Sequence, residues 1–108
     1  MINGDSRKFE LNPNVKLYAL IDAGFVKTRL GNFSYAHPLY NESPYDATAE
    51  LKLTIDHDLN HLTMVITDKS GLQKVNIFKN KSLSEMVSLL NYILKDLIQR
   101  EIIVQVEG

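Results

Sequence analysis

A stripe of apolar residues near the carboxyl end constrains the fold more than any other feature of this sequence. Its members recur at spacings of three and four: Leu83, Met86, Val87, Leu90, Ile93, Leu94, Leu97 and Ile98. That spacing places them on one side of an α-helix. Ser82 and Glu85 have the spacing of a capping box at its start. The pattern predicts a helix from Leu83 to Gln99, and Leu89 widens the stripe enough to predict cover from more than one side.

Alternating apolar and polar residues predict strands on both sides of this helix. Before it, the alternation marks residues 49–56, 62–67 and 72–78, and after it residues 102–106. The first three segments are separated only by short turns, so we expect them to run antiparallel. Together with one principal helix they predict an α+β domain with a mostly antiparallel sheet.

The amino-terminal half gives mixed signals. Residues 8–11 fit a short strand, and residues 25–29 and 32–37 fit a hairpin that turns at Gly31. Between them, two patterns compete over residues 12–24. Asn12 as the cap, Pro13 at the first helical position and Gly24 just past the end favour a short helix or helical turn, whereas alternating apolar residues favour a strand less clearly. Residues 38–48 predict a loop, because Pro38 and Pro44 interrupt regular structure.

Length and composition limit the functional classes. The chain has 108 residues, which predicts one domain spanning residues 1–108, with 44% hydrophobic residues and no cysteine. Without cysteine there is neither a disulfide nor a Cys-bound metal site, which fits the reducing cytoplasm. The net charge of −1 and the lack of a long apolar run argue against nucleic acid and membranes as partners. The strand at residues 102–106 leaves an edge that permits a homodimer.

Charge is unevenly distributed along the chain. Residues 41–68 contain six acidic residues and one lysine, whereas residues 69–81 contain four lysines and no acid. The simpler interpretation is two solvated surfaces, and we favour it. The alternative is an anion site just before the helix, for which Lys79 and Lys81 are the candidate binding residues, because free N–H groups at a helix start attract anions.

The histidines are the candidates for acid–base or metal chemistry. His57 and His61 are four residues apart beside Asp58, which on a helix would place both rings on one face. Here they fall in a predicted turn, so we expect exposed polar residues and no metal site. His37, His57, Asp58 and His61 remain the catalytic candidates, on condition that the fold brings them into one pocket. No cofactor-binding motif is present.

Aromatic and basic residues alternate on the first predicted hairpin. Lys27, Arg29, Phe33 and Tyr35 are therefore candidate binding residues, since an exposed sheet with rings and cations stacks single-stranded bases. The commoner arrangement has the rings, Phe25 among them, in the core and the cations in water, and we favour it.

Residues 24–28 (GFVKT), 31–35 (GNFSY) and 75–79 (VNIFK) resemble a small family of uncharacterised proteins found mainly in lactic-acid bacteria and their relatives. The resemblance extends over residues 9–106. It implies two small β-sheets packed against one long helix. It also implies a link with amino-acid or sulfur metabolism, a label that rests on gene neighbourhood near cysteine desulfurase-type genes. No functional residue can be transferred from it.

Three functional hypotheses follow. The first is a non-enzymatic binding or accessory protein that contacts a protein or small molecule through a sheet face or the loop at residues 38–48. The second is an enzyme or enzyme subunit of amino-acid metabolism that uses the histidines. The third is a protein that binds single-stranded nucleic acid through its first hairpin.

Overall fold

The described residues form eight regular elements. In a computed structural model, residues 2, 4–41, 43, 45, 47–79 and 83–106 are described. The elements are β1 (Lys8–Leu11), α1 (Leu17–Ala23), β2 (Val26–Lys27), β3 (Phe33–Leu39), β4 (Ala49–Ile55), β5 (Leu62–Asp68), α2 (Ser84–Gln99) and β6 (Ile103–Val106). The α+β class and the two antiparallel sheets are confirmed. No helix among the described residues has the length and apolar character needed to cross a membrane.

The larger sheet has the strand order β2-β3-β4-β5, with each neighbour antiparallel. Phe33 faces Ile55 across β3 and β4, and Ile55 faces Leu62 across β4 and β5. Residues directly opposite each other share a face, so the alternation along β4 assigns one face to the core. Ala49, Leu51, Leu53 and Ile55 are all buried on that face.

The smaller sheet joins the two ends of the chain. β1 pairs with β6, and Leu11 lies opposite Ile103. Ile103 is fully buried, while Phe9 and Leu11 are half-buried and pack against the core. Neither strand could bury an apolar face alone, so the pairing depends on α2, which delivers β6 beside β1.

Helix α2 fills the space between the sheets. Its buried residues are Met86, Leu90, Ile93, Leu94 and Leu97. They join one apolar cluster with the inner faces of both sheets, and Val87, Leu89 and Ile98 pack at its margin. The predicted stripe and the helix are therefore confirmed. Leu83 occupies the N-cap position, and the predicted cap residue Ser82 lies outside the described residues.

Both helices end in a left-handed residue. α1 ends where Gly24 takes a φ of 104°, which favours glycine, so the helical alternative for residues 12–24 is correct. After α2, Glu101 takes a φ of 61°, and the Ile102 N–H donates to the Leu97 carbonyl at 3.0 Å. That bond turns the chain sharply into β6.

Three sequence predictions are wrong. The first helix begins at Leu17 and not at Pro13, because the Asn12 side chain accepts a hydrogen bond from the Asn14 N–H in a separate turn. The predicted strand at residues 72–78 is reduced to one isolated bridge between Thr67 and Lys74, after a turn held by the Asp68 carboxylate. The predicted loop begins later than residue 38, because Pro38 and Leu39 continue β3. Pro38 is tolerated there since its nitrogen points away from β4, toward an edge that the two-residue strand β2 does not reach.

Candidate ligand-binding site

The two turn histidines each pair with a separate carboxylate. His57 Nε2 lies 3.3 Å from Asp58 Oδ1, and His61 Nδ1 lies 3.1 Å from Asp56 Oδ2. The imidazoles are 64% and 84% exposed, in the turn between β4 and β5. Across the ranges that the structure describes, no three His, Cys, Asp or Glu side chains gather in a way that could hold a metal ion.

Asp56 closes this turn. Its Oδ1 accepts hydrogen bonds from the backbone N–H groups of Asn60 at 2.7 Å and His61 at 2.9 Å. These bonds, those from His61 first, lower the pKa of Asp56 to about 2. The carboxylate therefore performs the ordinary work of a turn residue, which is to satisfy backbone donors that have no strand partner.

His37 does not join the other histidines. The Asn32 side chain accepts a hydrogen bond from the His57 backbone N–H at 3.1 Å, which fixes that turn at the start of β3. His37 lies four residues beyond Phe33 on the same strand, roughly 13 Å farther along. The catalytic candidates His57, Asp58 and His61 thus share one turn, while His37 lies elsewhere, with Nδ1 2.8 Å from the Pro38 carbonyl oxygen.

Aromatic rings form a row on the inner face of the large sheet. Lys27 lies opposite Phe33, so Phe25, Tyr35 and His37 fall on the same face. The Phe25 and Tyr35 ring centroids are 5.0 Å apart, and those of Tyr35 and His37 are 6.4 Å apart, with both pairs stacked. The row runs along β3 toward α2, the helix that packs on this face.

The rings in this row differ in their exposure to solvent. Phe25 and Phe33 are only 3% and 4% exposed, whereas Tyr35 and His37 are half-buried. Lys27 and Arg29 are exposed. Lys27 nevertheless shares the face of Phe33, so the separation of rings and cations onto opposite faces fails at Lys27. Phe25 and Phe33 are buried, so these two rings are closed to stacking bases.

Helix α2 carries two charges that act on Tyr35, the middle ring of the row. Arg100 Nε donates to Asp96 Oδ2 at 2.9 Å, and both side chains are partly exposed. Burial first, and then the Asp96 carboxylate, raise the pKa of Tyr35, while Arg100 opposes the rise. Tyr35 thus presents a neutral phenol near one anion and one cation.

A small groove continues from this charge pair along α2. It has a volume of about 180 Å³ and is lined by Tyr92, Lys95, Asp96 and Gln99. Ligand pockets usually measure about 300–1,000 Å³, so this groove suits only a small metabolite. Asp96 belongs to both the groove and the aromatic junction. We use the name β3–α2 junction for Tyr35, His37, Asp96, Arg100 and this groove.

Sequence reasoning missed most of the helical half of the junction. Asp96 and Arg100 have the i, i+4 spacing of an ordinary ion pair on the exposed face of a helix, and no sequence pattern singles out Tyr92. The available signal was their spacing, because residues 92, 96 and 100 follow one another at four-residue intervals beside the apolar stripe. A polar row that borders a buried stripe lies where a helix meets the neighbouring sheet.

The predicted lysine site is only partly described. Lys79 is exposed, and Lys81 lies outside the described residues. Lys69 instead lines an open depression of about 630 Å³ beyond the ends of β4 and β5, together with Tyr45, Ala47, Thr48, Asp68 and Ser70. Tyr45, one of its lining residues, is 94% exposed.

Comparison with known proteins relates the chain to one family. The family model DUF1831, described as "Putative amino acid metabolism", matches residues 1–104. The crystal structure of a DUF1831 family protein from Lactobacillus plantarum is similar, with 42% sequence identity and a TM-score of 0.90. That match covers 98% of this chain and 93% of the other. No curated protein matches the chain.

Proposed function

The chain belongs to the DUF1831 family, and from that premise we propose that it is a non-enzymatic binding protein of amino-acid metabolism. Its ligand lies at the β3–α2 junction and is a small molecule with the charges of an amino acid. In this role the protein works in the cytoplasm as an accessory to enzymes that make or consume the ligand.

One observation carries the proposal. Tyr35 stacks with Phe25 on one side and His37 on the other, and the charges of the paired Asp96 and Arg100 on α2 act on its phenol. A free amino acid presents a carboxylate and an ammonium group within a few bonds of each other. Arg100 offers a planar fork for the carboxylate, Asp96 offers an acceptor for the ammonium, and the rings offer an apolar surface for the side chain.

The supporting elements are rigid. Asp96 lies in the last turn of a sixteen-residue helix, Arg100 is the C-cap residue of that helix, and Tyr35 lies near the middle of a seven-residue strand. Sites on helices and strands hold their geometry more precisely than sites on loops.

Isothermal titration calorimetry with each free proteinogenic amino acid tests the proposal. We expect at least one amino acid to bind, with Arg100→Gln and Asp96→Asn each weakening binding about tenfold, the equivalent of one charge-assisted hydrogen bond. Arg29→Gln is the matched control, because Arg29 is exposed in the turn before β3. Equal loss in the control, or no binding by any amino acid, contradicts the proposal.

An acid–base enzyme is a second candidate, favoured by the His61–Asp56 pair. The bond between His61 Nδ1 and Asp56 Oδ2 orients the ring and leaves Nε2 free, as in a buttressed general base. Turnover of an amino-acid substrate that His61→Gln abolishes, while His57→Gln leaves it intact, would establish this function. No turnover across a broad panel of metabolites would exclude it.

A further inference from the structure

A second groove separates the two sheets. It has a volume of about 300 Å³, and three consecutive residues form each wall. Phe9, Glu10 and Leu11 of β1 form one wall, and Asn60, His61 and Leu62 at the start of β5 form the other. Walls of consecutive strand residues expose backbone edges, so the direction of the backbone groups decides what the groove can bind.

On the β1 side, two residues direct their backbone groups away from β6. The Asn12 N–H donates to the Ile102 carbonyl at 2.9 Å, which fixes the phase of the antiparallel ladder. Bonding alternates along such a ladder, so Glu10 also faces β6. The N–H and C=O groups of Phe9 and Leu11 therefore point outward, along the free edge of β1.

On the β5 side, the same alternation applies. The Val75 N–H donates to the Ile66 carbonyl at 2.9 Å, so Ile66 points away from β4. Leu62 and Met64 share its phase and also point outward. The chain itself covers the Ile66 end of this edge with residues 74–75, and none of the described segments pairs with the Leu62 end.

The charge around the groove is mainly negative. Glu10 is exposed on one wall, and the turn at the other wall carries Asp56 and Asp58. The hydrogen bonds that lower the pKa of Asp56 keep it anionic at neutral pH. The His61 ring pairs with Asp56, and Lys8 is the first residue of β1. An occupant with basic side chains would complement this surface.

We propose that the groove between β1 and β5 binds an extended, basic segment of a partner protein, which adds as a strand to the free edge at Leu62 and Met64. The segment continues the pairing that residues 74–75 begin, with β1 as the opposite wall. Main-chain hydrogen bonds supply affinity in this mode of recognition, and the side chains supply specificity. The inference goes beyond the proposed function, because it concerns a separate surface and a different kind of partner.

The probe is an end-capped hexapeptide of alternating lysine and valine, added to the ¹⁵N-labelled full chain. We expect it to shift and protect from exchange the backbone amides of Leu62 and Met64, with smaller shifts at Phe9 and Leu11. The same peptide with N-methylated valines is the control, because it lacks the donors that pair with a strand. Equal binding by the methylated peptide, shifts elsewhere, or no shifts would overturn the proposal.

Two variants separate pairing from charge. Leu62→Pro removes an outward donor at the first residue of β5, where proline is tolerated, and we expect about tenfold weaker binding. Glu10→Gln should weaken binding about threefold, and Asp22→Asn, an exposed acid on α1, should leave it unchanged. A circular dichroism spectrum and melting curve of each variant check that it folds. A dimer that Leu62→Pro disperses would make a second copy the occupant and overturn the proposal.

Discussion

The ring of Phe25 stacks on the ring of Tyr35, with centroids 5.0 Å apart and planes inclined by 30°. Phe25 directly follows Gly24, the left-handed residue that ends α1, whereas Tyr35 lies in the middle of β3. The contact therefore anchors the end of the first helix to the large sheet. Tyr35 also stacks on His37, so it has a ring neighbour on each side, and these contacts hold its ring in position.

The charges on α2 should control the titration of Tyr35. Because burial and Asp96 raise its pKa, Asp96→Asn should lower the pKa, and Arg100→Gln should raise it further. Ultraviolet absorbance during a pH titration reports tyrosinate formation. Since the folded-state pKa lies above the ordinary value of 10.0, the stability associated with Tyr35 is present below that pH and declines as the pH rises above it. An unchanged pKa in both variants would contradict the geometry.

Burial of α2 should make its central leucines essential. Leu90 is 0% exposed, so Leu90→Ala should lower the free energy of unfolding by about 2–5 kcal/mol. Leu72 is 85% exposed, so Leu72→Ala should change the free energy of unfolding by less than about 0.5 kcal/mol. Urea denaturation measures both changes. Similar effects of the two substitutions would show that the stripe does not face the core.

Asp56 should make stability depend on acid pH. Its pKa is lowered from 3.8 to about 2, so the associated stability is present above pH 3.8 and is lost as the pH falls toward 2. The Asp56→Asn protein should be less stable at neutral pH. Its stability should also change less with pH between about 2 and 3.8. Asp58→Asn is the matched control, because Asp58 lies in the same turn and pairs with the exposed His57 ring, whereas Asp56 accepts from the backbone donors of the turn. Thermal melts at a series of pH values test this.

The end of α2 offers a stabilising substitution. Glu101 has a φ of 61°, a conformation that favours glycine, so Glu101→Gly should raise the free energy of unfolding by about 0.5–1 kcal/mol. Gly24→Ala, at the corresponding position after α1, should lower it. Chemical denaturation compares the two. A destabilised Glu101→Gly protein would mean that the glutamate side chain contributes more than the backbone strain costs.

Local periodicity predicted most elements, because each buries one face. The stripe from Leu83 to Ile98 and the alternation from Ala49 to Ile55 mark their buried sides directly. The prediction of a strand at residues 72–78 is wrong because Val75 and Ile77 alternate, yet among these residues only 73–75 pair with β5 after the Asp68 turn. A pattern records which side chains are buried but not whether a strand partner is within reach.

The candidate site was less predictable, because its parts come from distant segments. Tyr35 and His37 were identified as candidates on β3, but nothing local indicated that the Asp96–Arg100 pair lies beside them. That relationship depends on how α2 crosses the sheet, which sequence spacing does not specify. Conversely, His57 and His61 attracted attention by spacing alone, and the fold places each beside its own carboxylate in an exposed turn.

Chemical-shift mapping during amino-acid titration tests most directly whether the β3–α2 junction is the ligand site. Titration of the ¹⁵N-labelled chain with the amino acid that binds best should shift the amides of Tyr35, His37, Asp96 and Arg100 together, along one saturable curve. Arg100→Gln should displace that curve to about tenfold higher concentration. Saturable shifts confined to other surfaces, or a curve that Arg100→Gln leaves in place, would contradict this assignment.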